Sequence, residues 1–175
     1  MRNRFALVAA IMAMPIAAAA AQNQIPRNVI TIQPLTAMMT IFSGEFERSA
    51  SKSVSWGVGA TYWDAGDAGN AVKYSSGDFK LRYYPSGVAL AGFSLGGSVG
   101  FSNVKGTSTT GADESAGGAS LGVLLEYQWL MGTKRNFALA LGAGAKTLMV
   151  DDKTISSSDF TAHYPTARVS VGYAF

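Results

Sequence analysis

Eight ionisable side chains stand where chemistry is conceivable: Glu45, Glu47, Asp78, Lys80, Arg82, Glu126, Lys146 and Arg168. They occupy alternate positions of segments whose same-side neighbours are mostly Gly, Ser, Ala and Thr. Four acids against four bases on such faces predict a network of ion pairs in a confined interior, where an unpaired charge is costly. The alternative is an ion pathway lined by the same groups. For Glu47 and Lys146, near segment ends, simple solvation is a further reading.

Other reactive patterns are poor. The single histidine, His163, has Ser157, Ser158 and Asp159 close in sequence. No His-x-Ser spacing puts a nucleophile and a base on one strand face, so it reads as a rim residue. Gly57-x-Gly59 and Gly142-x-Gly144 lie inside alternating segments and not between a strand and a helix, which excludes a phosphate loop. Asp151-Asp152, with Asp159 nearby, is a conceivable cation site between lipid phosphates, but like Asp113-Glu114 it reads as a solvated loop. The absence of cysteine excludes disulfides and thiolate metal sites. No cofactor and no metal are expected.

The elements that must position the charges alternate with period two. In the last segment Pro165, Ala167, Val169, Val171, Tyr173 and Phe175 share one side; Thr166, Arg168, Ser170, Gly172 and Ala174 share the other. Gly118 to Leu130 and Asn136 to Leu148 repeat the division, joined by the short Met131 to Lys134. Leu90 to Val104, Tyr74 to Tyr84 and Ser53 to Trp63 do so upstream. Long connections (Asp64 to Lys73, Lys105 to Ala116, Val150 to Ser158) alternate with short ones (Ser49 to Lys52, Pro85 to Ala89, Met131 to Lys134). That asymmetry is the habit of membrane barrels. Val29 to Leu35 and Ile41 to Ser49, turning at Thr36 to Thr40, bring the count to eight. A single strand kinked at Pro34 would leave seven.

The chain opens with Arg2 and Arg4, an apolar run from Phe5 to Ile16, and Ala19-x-Ala21. This is the layout of a secretory signal peptide over residues 1–21; an uncleaved anchor is the alternative. A short segment, 22–27, then precedes a barrel over 28–175. Without the leader, 12 basic residues face 11 acidic ones, so the apparent basicity belongs to export and argues for no nucleic-acid partner.

Alternation alone also fits a soluble barrel with its apolar side inward. The other side decides: it is small, and charged residues make up 14% of the chain, few for a sheet bathed in water. Small residues suit the crowded lumen of an eight-stranded barrel. The apolar side carries Trp56, Tyr83, Phe93, Tyr127, Trp129, Phe137 and Tyr173 by the short turns, and Tyr62, Phe79 and Phe101 toward the long loops. Two aromatic rings of this kind flank a lipid-facing band. The expected fold is all-β: an antiparallel transmembrane barrel.

With these features the chain resembles the small outer-membrane β-barrel superfamily, the OmpA/OmpX-like transmembrane domains. The residues that carry the resemblance are Val169-x-Val171-x-Tyr173-x-Phe175, the alternating strands over roughly Asn28 to Phe175, and Ala19-x-Ala21. The resemblance implies a bacterial outer-membrane location. It also implies that Val169, Val171, Tyr173 and Phe175 serve as the signal read by the barrel-assembly machinery. The expected surroundings are outer-membrane lipid and lipopolysaccharide, and the expected state is a monomer. The expected role is structural or loop-mediated, without enzymatic activity. A narrow pore or small-molecule carrier, using Tyr84, Leu124 and the charges, is the alternative, followed by a lipid A-modifying enzyme.

Overall fold

The computed structural model describes residues 26–67, 70–107, 113–150 and 160–175. Eight strands form a closed antiparallel barrel: β1 (Asn28–Ile32), β2 (Ile41–Ser49), β3 (Val54–Asp67), β4 (Asn70–Tyr83), β5 (Gly92–Thr107), β6 (Asp113–Met131), β7 (Phe137–Val150) and β8 (Phe160–Ala174). Each pairs with its neighbour in sequence, and β1 closes the ring on β8 from Val29↔Ala174 to Ile32↔Val171. The all-β barrel expected from the alternation is the observed fold. The stretches proposed as a signal peptide and as the segment before the barrel fall almost wholly outside the described residues.

The barrel is inside out relative to a soluble one. Val58, Leu81, Leu95, Val99, Val123 and Leu125 lie exposed on the outer wall, Val123 to 66%. The buried side chains facing inward are mostly polar: Thr31, Ser55, Ser94, Ser102, Ser120, Gln128 and Ser170, together with charged groups. At the short-turn end, outward Tyr127 and Trp129 pack with centroids 4.5 Å apart, and Tyr173 stacks near Phe175. Phe79 departs from the expected upper ring. It pairs opposite Val58 and stacks on Trp56, in the lower half of the wall. Phe42, paired with Tyr62 and exposed, joins the upper ring in its place.

Three boundaries differ from the sequence reading. The first strand stops at Ile32, and Pro34–Ala37 forms a helical turn, α1, where strand and turn were expected. The ladder explains the stop. Asn28 and Phe175 exchange both backbone hydrogen bonds, so even-numbered residues of β1 bond toward β8. The next in that series is Pro34, which would face Val169 and has no N–H to give. Second, two of the three stretches read as long loops are largely paired, and the third, Val150 to Ser158, lies almost wholly outside the described residues. β3 and β4 continue to Asp67↔Asn70, and β5 and β6 to Thr107↔Asp113. Polar residues on both sides hide a strand from period-two reading, while the ladder needs only backbone. Third, β5 begins at Gly92, not at Leu90.

Leu90 belongs to a stopper. The segment after Tyr83 turns into the barrel mouth, where Tyr84, Ala89 and Leu90 are buried against Val29, Ala138 and Ala174. Its backbone is tied at several points. Tyr84 N–H donates to Ser53 O (2.7 Å), Ala89 N–H to Lys52 O (2.7 Å), and Gln128 Nε2 to Leu90 O (2.7 Å). Leu90 is held at a φ of +70°, a conformation an L-residue adopts only under strong external constraint.

Candidate functional site

The site is the lumen above the stopper. All eight charged residues singled out in the sequence face it, and seven ion pairs connect them. Glu45 is the hub: its carboxylate accepts from Arg82 Nη2 (2.6 Å), from Arg168 Nη1 (2.9 Å) and from Lys80 Nζ. Glu47 accepts from the Tyr84 hydroxyl (2.7 Å) and from the Ser55 hydroxyl, with Arg82 Nη1 at 3.1 Å. Glu126 lies between Arg82 Nε (3.4 Å) and Arg168 Nε (3.1 Å), yet neither contact has hydrogen-bond geometry. Coulomb attraction alone holds that carboxylate. Three acids and three bases thus form one neutral cluster, the condition under which buried charge is tolerable.

Asp78 and Lys146 stand apart as a pair at 2.6 Å, nearer the long loops. Glu47, for which solvation was an open reading, is buried, with 3% exposure. Lys146 is half-buried and paired, not free in solvent.

Glycine leaves room around the cluster. Glu45 on β2 must reach Lys80 and Arg82 on β4, across β3. A Cβ at Gly59 would stand 3.4 Å from Lys80 Nζ and 3.6 Å from Glu45 Oε2, at contact distance, so a side chain larger than a methyl would press on that path. Gly142 gives the same clearance to Arg168, whose Cγ would lie 3.2 Å from a Cβ at that position. Gly57 and Gly144 instead lie tight against neighbouring backbone, with a Cβ reaching 2.9 Å from Phe46 O and 2.1 Å from Val123 O, so both Gly-x-Gly pairs are packing features of the wall.

Above the cluster the lumen widens into a cavity of about 230 Å³. Gln33, Ser43, Thr61, Tyr74, Ser98 and Thr166 line it, and Asp78, Lys80, Arg82, Lys146 and Arg168 supply its charge. Leu124, named for the carrier alternative, is also at this wall, whereas Tyr84 is buried in the stopper below. Sequence reading identified the charges but missed Gln33, Ser43 and Thr61. Their side chains form a chain of hydrogen bonds, Gln33 Nε2 to Ser43 Oγ (2.9 Å) and Ser43 Oγ to Thr61 Oγ1 (3.0 Å).

His163 is exposed, and its Nδ1 lies 2.9 Å from Thr147 Oγ1. Ser157, Ser158, Asp159 and the Asp151-Asp152 pair lie outside the described residues. Among the described residues no group of three or more His, Cys, Asp or Glu side chains is placed to hold a metal ion. Val169, Val171, Tyr173 and Phe175 line up on the outer side of β8, with Tyr173 opposite Phe137 on β7.

No family model matches the chain, and no curated protein matches it. Among solved structures it is similar to the crystal structure of the N-terminal β-barrel domain of Pseudomonas aeruginosa OprF. That likeness has a TM-score of 0.51 and 16% sequence identity, covering 87% of this chain and 100% of that one. At this identity the likeness is one of fold.

Proposed function

We propose that this chain is an outer-membrane barrel whose role is structural or loop-mediated, and that its lumen is sealed at the short-turn end. The support is the outer wall of aliphatic and aromatic side chains, together with a barrel fold shared with the OprF domain. The observation that carries the sealed lumen is the stacking of two barriers. Tyr84 and Leu90 are both fully buried in the mouth, and Arg82 with its three carboxylates lies directly above them. An ion crossing here would have to break buried pairs and displace apolar packing at once. The role is non-enzymatic on this reading, the molecule is a monomer amid lipid and lipopolysaccharide, and the strip ending in Phe175 is its assembly signal.

Purified barrel added to a planar lipid bilayer should give no stable single-channel steps. Leu90→Gly combined with Arg82→Ala should introduce them, because both barriers are then weakened. A steady ion-selective conductance from the unaltered chain would contradict the sealed lumen and favour the narrow-pore reading.

A carrier reading has one observation in its favour, the polar cavity above the cluster. It is blind at the short-turn end, so it suits binding better than passage.

A further inference from the structure

The ring of strands is closed, but it is not closed along its full height. β8 pairs with β7 from Phe160 to Tyr173, and with β1 only from Val171 to Ala174. Above Val171, among the described residues, no strand lies on the β1 side of β8, and α1 packs there instead. The direction of the backbone groups follows from two bonds. Phe175 N–H donates to Asn28 O on β1, and Ala174 N–H donates to Asn136 O toward β7. Odd-numbered residues of β8 therefore aim N–H and C=O at the β1 side. Val169, Ala167, Pro165 and His163 aim theirs at the gap. Pro165 is at home there because that position has no ladder donor to lose.

A strand tilted by about 45° climbs roughly 2.3 Å per residue, so a belt about 25 Å tall takes up about eleven residues. Counted upward from Tyr173, the belt reaches past His163, and Val169 and Ala167 lie within it. Unpaired backbone groups facing hydrocarbon are heavily penalised. Irregular or open backbone at that depth is tolerated where it borders protein or a water-filled cavity. Such a cavity is adjacent: Tyr164, Thr166 and Arg168 of the same strand line it. A second copy cannot supply the missing strand by symmetry. Two barrels related by an axis along the membrane normal would cross their tilted β8 edges instead of pairing them.

The two sides of the gap differ in chemistry. Outside, the crossover from β1 to β2 exposes Leu35, Met38 and Met39, the last two at 84% and 69%. Methionine makes an adaptable apolar surface. Inside, four of the five charged residues lining the cavity are basic; Lys80, Arg82 and Arg168 belong to the neutral cluster beneath, and Lys146 has one carboxylate partner among the described residues.

We propose that this gap is a lateral portal, through which a single-chain anionic amphiphile places its head group in the cavity and leaves its acyl chain in the membrane. Lys146, with Lys80 and Arg168 behind it, meets the head group; Leu35, Met38 and Met39 flank the chain as it exits. The portal rests on the reading of the outer wall as lipid-facing.

The test uses the chain in phosphatidylcholine nanodiscs with a dansyl-labelled fatty acid as probe. Binding should saturate above the level of empty discs, and laurate should displace the probe. Dodecanol, acetate and inorganic phosphate should not. Lys146→Gln should weaken binding about tenfold, through loss of a charge-assisted bond. Met38→Ser with Met39→Ser, at positions that bury little, should weaken it about fivefold. Binding no greater than to empty discs, or unchanged in both variants, would overturn the portal. Competition by acetate or phosphate as strong as by laurate would overturn the chain exit, and equal competition by dodecanol would overturn the head-group site. Each sample is also run on a gel with and without boiling. A boiling-dependent shift with no binding removes the portal alone, whereas a chain that stays soluble without detergent removes the membrane reading beneath it.

Discussion

Replacing Arg82 with Met lowers the folding free energy of the barrel by about 3–5 kcal/mol, the usual cost of breaking a buried ion pair from one side. Arg82 is 2% exposed and touches Glu45, Glu47 and Glu126. Glu45 keeps Lys80 and Arg168, and Glu47 keeps the Tyr84 and Ser55 hydroxyls. Among the described residues Glu126 keeps only Arg168, at 3.1 Å and without hydrogen-bond geometry. Urea unfolding from lipid vesicles, followed by tryptophan fluorescence, measures the loss. The pairing also predicts a rescue. Glu126→Gln added to Arg82→Met should restore part of the stability, because the carboxylate left stranded has been removed. A change under about 1 kcal/mol for Arg82→Met would mean that the arginine is solvated.

The second large effect is on the outer wall. Val123 lies about halfway up the outer wall, opposite Gly97 on β5 and Ala145 on β7, and is 66% exposed. Val123→Arg should cost about 2–4 kcal/mol in the same assay, the price of a basic side chain near the midplane of a bilayer. Thr133→Arg, in the exposed short turn between β6 and β7, should stay within about 0.5 kcal/mol. If the outer wall met water, both substitutions would be equally harmless.

Period-two alternation made most of the barrel legible, because one wall is apolar and the other lines a packed interior. Val169, Val171 and Tyr173 opposite Arg168, Ser170 and Gly172 could hardly fold otherwise. The charges were legible for the same reason: an ionic residue among glycines and serines in an alternating strand has few other places to go. Their connections were not. That Glu45 gathers Lys80, Arg82 and Arg168, while Lys146 takes Asp78, depends on shear and on the clearance at Gly59 and Gly142.

Other features carry weaker local signals. Pro34 announced a lost ladder donor, but whether the chain would kink or turn into α1 was not encoded in pattern. Leu90 looked like the start of a strand. Its burial at positive φ depends on Lys52 and Gln128, far away in sequence, and the nearby Gly87 and Gly92 do not mark the leucine itself. The paired stretches beyond the belt, such as Asp64 to Asp67, are polar on both sides, so alternation is silent there.

The central claim is the polarity of the wall, with aliphatic side chains toward lipid and small or ionic ones toward the middle. Because the chain has no cysteine, single Val123→Cys and Ser98→Cys variants can each carry one nitroxide label in vesicles. Paramagnetic relaxation should show the Val123 label open to oxygen and shielded from a water-soluble nickel complex, with the Ser98 label more protected from oxygen. A Val123 label relaxed chiefly by the nickel complex would place that wall in water and contradict the account.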